Sequence, residues 1–239
     1  ILTKEMEPTT EKEIEYMRDK PYKELVGALQ FASAQTRCDI NFAVQRVSTF
    51  QRNPGKAHWK AARRILKYLK GQKKLGITFR GKGISFSNNA DGTVTMTPGI
   101  EMWTDADFAG DRDDRKSTSG ITIRAVGGPV STGCRKQGAV STSTTQAEIQ
   151  SLSKGVMQLR FIVQLLEAMG VKVKQPVPVN EDNQAAVSYA TNAKNQSKVK
   201  HMDVKHCYIR DEAKKGRIEV KYCPTDEMIA DMFTKALPA

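Results

Sequence analysis

The sequence predicts a protein of two parts, a helical first part and an α/β second part. Apolar residues of the 239-residue chain recur every three to four positions as far as Gly71, which is typical of helices that pack by one face. From Gly76 the period changes to two, and beyond about residue 99 strand-like and helix-like stretches alternate. We therefore expect a peripheral segment over 1–20, a helical region over 21–75, a β linker over 76–98 and an α/β domain over 99–239.

The helical region ends in a strongly basic helix. Two helices are predicted between Pro21 and Phe50, and Pro54-Gly55 then breaks the chain before the next one. In that helix Trp59, Ala62, Leu66 and Leu69 share one face, which we expect to be buried. The adjoining face carries Lys56, Lys60, Arg63, Arg64, Lys67 and Lys70.

The charge of the chain is unevenly distributed. The formal net charge is +12, and the stretch from Ile40 to Ala90 has twelve Lys and Arg but no Asp or Glu. A block of one sign indicates a polyanionic partner, of which nucleic acid is the first candidate, and the alternative is an ordinary solvated surface. We expect the basic helix to contact phosphates, together with a second basic loop that contains Lys194, Lys198 and Lys200.

The α/β domain is predicted to begin with a strand that runs into acids. Met102 and Trp103 are followed by Asp105 and Asp107, and a buried carboxylate needs a salt bridge, a hydrated loop or a cation. Two further strands, at 119–123 and 129–132, complete an antiparallel meander.

The longest helix and the elements after it carry three more acids of interest. The helix opens at 141–148 and stops at Gly170, with Glu148 in its first turn either as the partner of Thr145 in a capping box or as a ligand. A short strand then ends at Asp182, and its prolines predict a place near a sheet edge. Helices at 184–191 and 201–215, a strand at 218–222 and a terminal helix that contains Asp231 follow.

The cysteines and the ends of the chain suggest an intracellular fragment. Four scattered cysteines form no pair typical of zinc or of a disulfide framework, so free thiols in a reducing compartment are expected. No run is apolar enough to cross a membrane and no secretory signal is visible, so we expect no membrane partner. The first residue is Ile1 rather than Met, which suggests an excised piece of a longer protein.

Several motifs in order resemble copia-type LTR retrotransposon Pol polyproteins. Those of the second part are similar to the ribonuclease H domain, and those of the first part to the reverse transcriptase thumb. The motifs are Pro21-Tyr-Lys-Glu-Leu-Val-Gly, Thr36-Arg-Cys-Asp-Ile, His58-Trp-Lys-Ala-Ala-Arg-Arg, Thr104-Asp-Ala-Asp-Phe-Ala-Gly, Arg115-Lys-Ser-Thr-Ser-Gly, Ser143-Thr-Thr-Gln-Ala-Glu, Asp182-Asn-Gln-Ala-Ala, Lys200-His-Met-Asp-Val and Ile229-Ala-Asp-Met-Phe-Thr-Lys.

The resemblance implies a ribonuclease H-like fold, a mixed five-stranded sheet with flanking helices, preceded by a helical thumb-like domain. It also implies that Asp105, Glu148, Asp182 and Asp231 are catalytic metal ligands for two Mg²⁺ ions, with Mn²⁺ as a substitute. Two cations about 4 Å apart would offset the mutual repulsion of four carboxylates and support in-line hydrolysis of a phosphodiester. Glu181 departs from the family pattern, which commonly has a small residue there.

The implied activity is that of an RNA–DNA hybrid endoribonuclease during reverse transcription, in a cytoplasmic particle or the nucleus. The polymerase palm and its aspartates are missing, so the implied partners are an RNA–DNA hybrid and the palm and fingers of the parent polyprotein. Two other classes stay open: a nucleic-acid-binding fragment that is inactive or repurposed, and another nuclease of the same superfamily, such as an integrase or a resolvase.

Overall fold

The computed structural model divides the chain into two compact units. One unit contains residues 1–77 together with 111–115 and 235–236, and the other contains 78–110 and 116–234. The boundaries of the four predicted segments stay predictions, because the two units interleave along the sequence. The structure describes residues 1–79, 85–97, 99–191 and 203–236, without the side chains of 203–206.

The first unit is helical. Its apolar core is formed mainly by the second, third and fourth helices and contains Tyr22, Val26, Leu29, Ile40, Val44, Val47, Ala62 and Ile65. The helices are α1 (Glu11–Arg18), α2 (Tyr22–Gln35), α3 (Asn41–Ser48) and α4 (Lys56–Gly71), with 3₁₀ turns at Lys4–Met6 and Cys38–Ile40.

The buried face of α4 differs in part from the prediction, since Ala62 is fully buried whereas Trp59 and Leu69 are partly buried. Leu66 was expected in the core but is 49% exposed, whereas Ile65 is buried. The buried line runs through His58, Ala62 and Ile65, at the four-then-three spacing of a helix face. His58 fixes the start of the helix, because its Nδ1 accepts the Gly55 N–H at 2.9 Å and its Nε2 donates to the Thr3 carbonyl at 3.1 Å.

The second unit contains the predicted mixed sheet. Five strands lie in the order β5-β4-β3-β7-β8, with antiparallel pairing of β3 to β4 and of β4 to β5, and parallel pairing of β3 to β7 and of β7 to β8. With helices flanking this sheet, the predicted α/β fold class is confirmed. The strands of the second unit are β1 (Ser85–Asn88), β2 (Val94–Thr97), β3 (Glu101–Asp107), β4 (Thr118–Ala125), β5 (Gly128–Lys136), β6 (Val171–Lys172), β7 (Val177–Glu181) and β8 (Ile218–Tyr222).

The strands of the predicted linker belong to a second, smaller sheet. Strand β1 pairs antiparallel with β2, and β2 pairs parallel with β6. Since β6 follows the longest helix, the strands predicted at 76–98 are tied to the same unit as the larger sheet.

The larger sheet packs its core against the longest helix. The helices of this unit are α5 (Thr144–Ala168), α6 (Gln184–Thr191) and α7 (Asp203–Lys214). Leu152, Val156 and Leu159 of α5 are fully buried in one cluster with Met102 and Val179 of the sheet. Within the described residues, none of the helices has the length and apolar character that crossing a bilayer requires.

Two elements of this unit differ from the prediction. Strand β7 was expected near a sheet edge but lies between β3 and β8. Its Pro178 is accommodated because pairing with β3 begins one residue later, at Val179. The predicted terminal helix is instead two 3₁₀ turns, Thr225–Glu227 and Ile229–Phe233, separated by Met228, whose ψ of 88° is not helical.

Candidate metal centre and nucleic-acid surface

Three of the four predicted ligands meet at one end of the larger sheet. Among the described residues, Asp105, Glu148 and Asp182 each offer a carboxylate oxygen, and these atoms all lie within 4.8 Å of one another. They come from three elements: Asp105 from β3, Glu148 from α5 and Asp182 from the residue after β7. A side-chain cluster drawn from three separate elements can hold a shape that no single loop could fix.

Asp105 is held in a buried position on β3. Its side chain is 2% exposed, and it lies opposite Gly120 of β4. The buried hydroxyl of Thr234 donates a hydrogen bond to the Asp105 carboxylate. The Asp105 carbonyl accepts the hydroxyl hydrogen of Ser151 on α5 at 2.9 Å, which ties the strand to the helix at the level of the cluster.

Glu148 is not the capping partner that the sequence left open. Helix α5 begins at Thr144, its N-cap Ser143 accepts the Gln146 N–H, and Gln146 Oε1 in turn accepts from Thr142. Glu148 lies further along the helix and is 6% exposed. The first turn is therefore capped without Glu148.

A buried polar network fixes the turn of α5 that carries Glu148. Gln137 Nε2 donates to Ser119 Oγ at 3.0 Å and to the Ala147 carbonyl at 2.9 Å. Ser141 Oγ donates to Gln137 Oε1, and Gln150 Nε2 donates to Ser141 Oγ. The hydrogen bonds join the start of α5 to the sheet, and nothing in the sequence patterns identified these residues beforehand.

Asp182 and Asp231 lie at the more open side of the cluster. Asp182 is part-exposed, and Thr225 Oγ1 donates to its Oδ2 at 3.2 Å. Asp231 lies on the turn Ile229–Phe233 and is also part-exposed, but it is not a member of the group within 4.8 Å. The same turn ends beside Thr234, the residue that donates to Asp105, so the fourth predicted ligand lies on the segment that contacts the first.

The segment that carries Asp231 is docked by apolar contacts on the opposite side of the sheet from α5. Met228 and Ala230 pack with Trp103 and Cys223 in a buried cluster. A Cβ atom added to Gly120 would lie 2.7 Å from Thr234 Cγ2 and 2.8 Å from the Ala230 carbonyl oxygen. The close approach of this segment to β4 therefore requires glycine at position 120.

A further acid, Glu181, lies beneath the cluster. It is 0% exposed, and its Oε1 accepts the Asn183 N–H at 3.3 Å. Burial raises the pKa of Glu181 well above its ordinary value, and the charges of Asp182 and Asp105 act in the same direction. The Asn183 N–H and a side-chain contact with Glu148 act against that rise in pKa. The sequence marked Glu181 only as a departure from a family pattern.

The predicted nucleic-acid surface has two parts, and the structure describes the part on α4 but not the second basic loop. Lys56, Lys60, Arg63, Arg64, Lys67 and Lys70 all lie on α4 and are exposed. The Lys56 ammonium also lies 5.2 Å from the ring centroid of Tyr16. Lys194, Lys198 and Lys200 lie outside the described residues, so their predicted role stays a prediction.

Comparison with known proteins identifies the family. The retrovirus-related Pol polyprotein from transposon TNT 1-94 of Nicotiana tabacum is 35% identical over 237 residues, which are 99% of this chain and 17% of the relative. The chain belongs to the retrovirus-related Pol polyproteins of copia-type transposons. It spans about a sixth of the length of that Pol polyprotein.

A shorter protein and a solved structure are also similar to the chain. The secreted RxLR effector protein 161 of Plasmopara viticola is 34% identical over 142 residues, which are 59% of this chain and 91% of that protein. The solved structure of LC11-RNase H1 in complex with RNA/DNA hybrid aligns with 56% of this chain and 93% of its own, at 16% identity and a TM-score of 0.44. No protein-family model matches the chain.

Proposed function

We propose that this Pol fragment is a ribonuclease H that hydrolyses the RNA strand of RNA–DNA hybrids with two divalent cations. The observation that carries the proposal is the meeting of Asp105, Glu148 and Asp182 within 4.8 Å. Asp231 is proposed as the fourth ligand, because its segment also contacts Asp105 through Thr234.

The residues of the cluster suit a hard cation such as Mg²⁺. All the ligands are carboxylate oxygens, the donors that Mg²⁺ prefers, and Mn²⁺ accepts the same donors. Asp105 and Glu148 are buried beside each other and beside Asp182, so a positive charge would remove much of their repulsion. When bound, two cations would activate an attacking water and stabilise the leaving 3′ oxygen.

The protein's own groups supply a fixed geometry for that chemistry. Thr234 orients the Asp105 carboxylate through its hydroxyl hydrogen, and Ser151 fixes the main chain of β3 at the same residue. Asp182 is more exposed than Asp105, so it can contact both a cation and a nucleic-acid strand that approaches from solvent.

The substrate class follows from the charges and from the family. The exposed cations of α4 suit contacts with phosphates, which position a nucleic acid without selecting its sequence. Selection of a hybrid would come from the 2′-hydroxyls of the strand that is cut and from the deoxyribose shape of its partner strand. The remaining partners are proposed to be the palm and fingers of the parent polyprotein, in an intracellular particle or the nucleus.

The test is the substitution Asp182→Asn, which keeps the shape of the side chain but removes the charge that holds a cation. We expect a loss of cleavage of at least about 100-fold, larger than the 10- to 100-fold typical of residues behind the ligands, with hybrid binding nearly unchanged. Cleavage is measured on a hybrid, a DNA duplex and an RNA duplex, with Mg²⁺, with Ca²⁺ and with chelator.

The matched control is Asp211→Asn on α7, which removes the acid of an exposed pair with Lys215. The control should cut like the wild type. If a DNA duplex is cut as fast as the hybrid, the protein is a broader nuclease and not a ribonuclease H. If Asp182→Asn keeps full activity, Asp182 is not part of the catalytic site.

A second function is a nucleic-acid-binding fragment that does not cut. It would need only the exposed cations of α4, and a protein that the chain matches over 91% of its length is described as a secreted effector and not as a nuclease. Tight hybrid binding by the wild type without cleavage in Mg²⁺ or Mn²⁺ would establish this function in place of the first.

A further inference from the structure

Glu181 is a buried acid that the proposed metal chemistry does not use. It ends β7, opposite Thr104 of β3 and Tyr222 of β8, and is 0% exposed. A carboxyl group removed from water is costly unless its contacts compensate. A buried acid on an interior strand is therefore expected to have a specific role.

The surroundings of the two Glu181 carboxyl oxygens indicate that role. Oε1 accepts the Asn183 N–H, and Asn183 is itself the residue whose Oδ1 accepts the Ala186 N–H at the start of α6. Asp182 is the residue between them, so this hydrogen bond closes the turn that presents Asp182. Oε2 is buried and meets no hydrogen-bond donor among the described residues.

We infer that Glu181 is a positioning residue that holds Asp182 in the place from which it would bind a divalent cation. The inference rests on the proposed function, since it assumes that Asp182 binds the cation. Glu181 itself is not one of the three residues whose oxygens lie within 4.8 Å of one another, so it acts through its neighbours.

The test compares two substitutions at the same position. Glu181→Gln keeps the length of the side chain and an acceptor for the Asn183 N–H. Glu181→Ala removes both. Affinity for Mn²⁺ alone is measured by calorimetry without nucleic acid, and thermal unfolding is followed in parallel. We expect Glu181→Ala to weaken Mn²⁺ binding by about 10-fold or more, as losses behind metal ligands do, and Glu181→Gln to stay within about 3-fold of the wild type, because it restores the same hydrogen bond.

The matched control separates positioning from simple loss of packing. Val179→Ala removes a fully buried side chain two residues earlier on the same face of β7. It should lower the unfolding temperature, as Glu181→Ala does, but leave Mn²⁺ affinity unchanged. Wild-type affinity in Glu181→Ala, or an equal loss in Glu181→Gln, would overturn the positioning role.

The outcomes also separate this inference from the proposed function. If the wild type binds Mn²⁺ but cuts no hybrid, the ribonuclease proposal fails and the positioning role still stands on the affinities. If the wild type binds no Mn²⁺, the metal centre and the positioning role fail together.

Discussion

The substitution Asp105→Asn should raise the stability of the folded protein in the absence of divalent cations. It should also reduce the stabilisation that added cations give. Asp105 is 2% exposed, and its ligand oxygen lies within 4.8 Å of those of Glu148 and Asp182. Asparagine keeps an oxygen that can accept the Thr234 hydroxyl hydrogen, so the substitution removes charge with little change of shape.

The size of the effect follows from the distances. Two unit charges 4.8 Å apart repel by about 3.5 kcal/mol at an effective dielectric constant of about 20, so two neighbours at that distance would repel Asp105 by about 7 kcal/mol. Buried acids take up protons rather than bear all of that repulsion. We therefore expect a net gain of about 1–2 kcal/mol, which raises the unfolding temperature by about 2–8 °C.

The assay is thermal unfolding in chelator and in saturating Mg²⁺. A cation at about 100 times its dissociation constant stabilises the folded wild type by about 2.7 kcal/mol, or about 5–11 °C. The Asn variant should show almost none of this increase, so the order of the two unfolding temperatures should reverse between the two conditions.

A surface control excludes a general effect of net charge. Asp211→Asn makes the same change of charge at a side chain that is 52% exposed, and it should shift the unfolding temperature by no more than about 2 °C while keeping the Mg²⁺ response. A lower unfolding temperature for Asp105→Asn in chelator, or an undiminished Mg²⁺ response, would refute the electrostatic reasoning.

Two further predictions concern the docking of the last segment and the basic helix. Gly120→Ala should displace the turn that carries Asp231, lower cleavage at least 10-fold (~1.4 kcal/mol) and destabilise the folded protein by about 1–3 kcal/mol. The control Gly133→Ala on β5 adds a Cβ whose nearest neighbour would be 3.9 Å away, so it should change neither cleavage nor stability. Equal effects of the two substitutions in activity and unfolding assays would contradict the close approach at Gly120. Substitution of Lys60, Arg63 and Lys67 by Glu should weaken hybrid binding. It should also reduce the slope of log K against log salt concentration by about 0.9 per lost phosphate contact. An unchanged slope would mean that these cations do not contact the hybrid.

The order of elements and the location of the acids could be predicted from the sequence. Periodicity located α5 and the meander of β3, β4 and β5, because these depend on neighbours close in the chain. Acids that follow apolar strands were visible at Asp105 and Asp182, and the structure brings both together with Glu148.

The sheet order and the last segment could not be predicted in the same way. Prolines beside Val177 and Val179 suggested an edge strand, whereas β7 is interior because its pairing with β3 starts at Val179. That register is set by contacts between distant residues. The prediction of a terminal helix was wrong for a similar reason. Packing of Met228 and Ala230 against Trp103 competes with continuous helical hydrogen bonding.

The expected stability cost of the site and its proposed capacity for cations have one physical cause. Buried carboxylates within 4.8 Å could lower their repulsion by moving apart, but the Gln137 network holds the start of α5 to the sheet, and Ser151 holds α5 to β3. Because the scaffold resists that movement, the repulsion would be lowered by protons or by the proposed cations. A rigid attachment of α5 would therefore contribute to the proposed cation binding, although its polar residues carry no ligand atom and follow no pattern that a sequence displays.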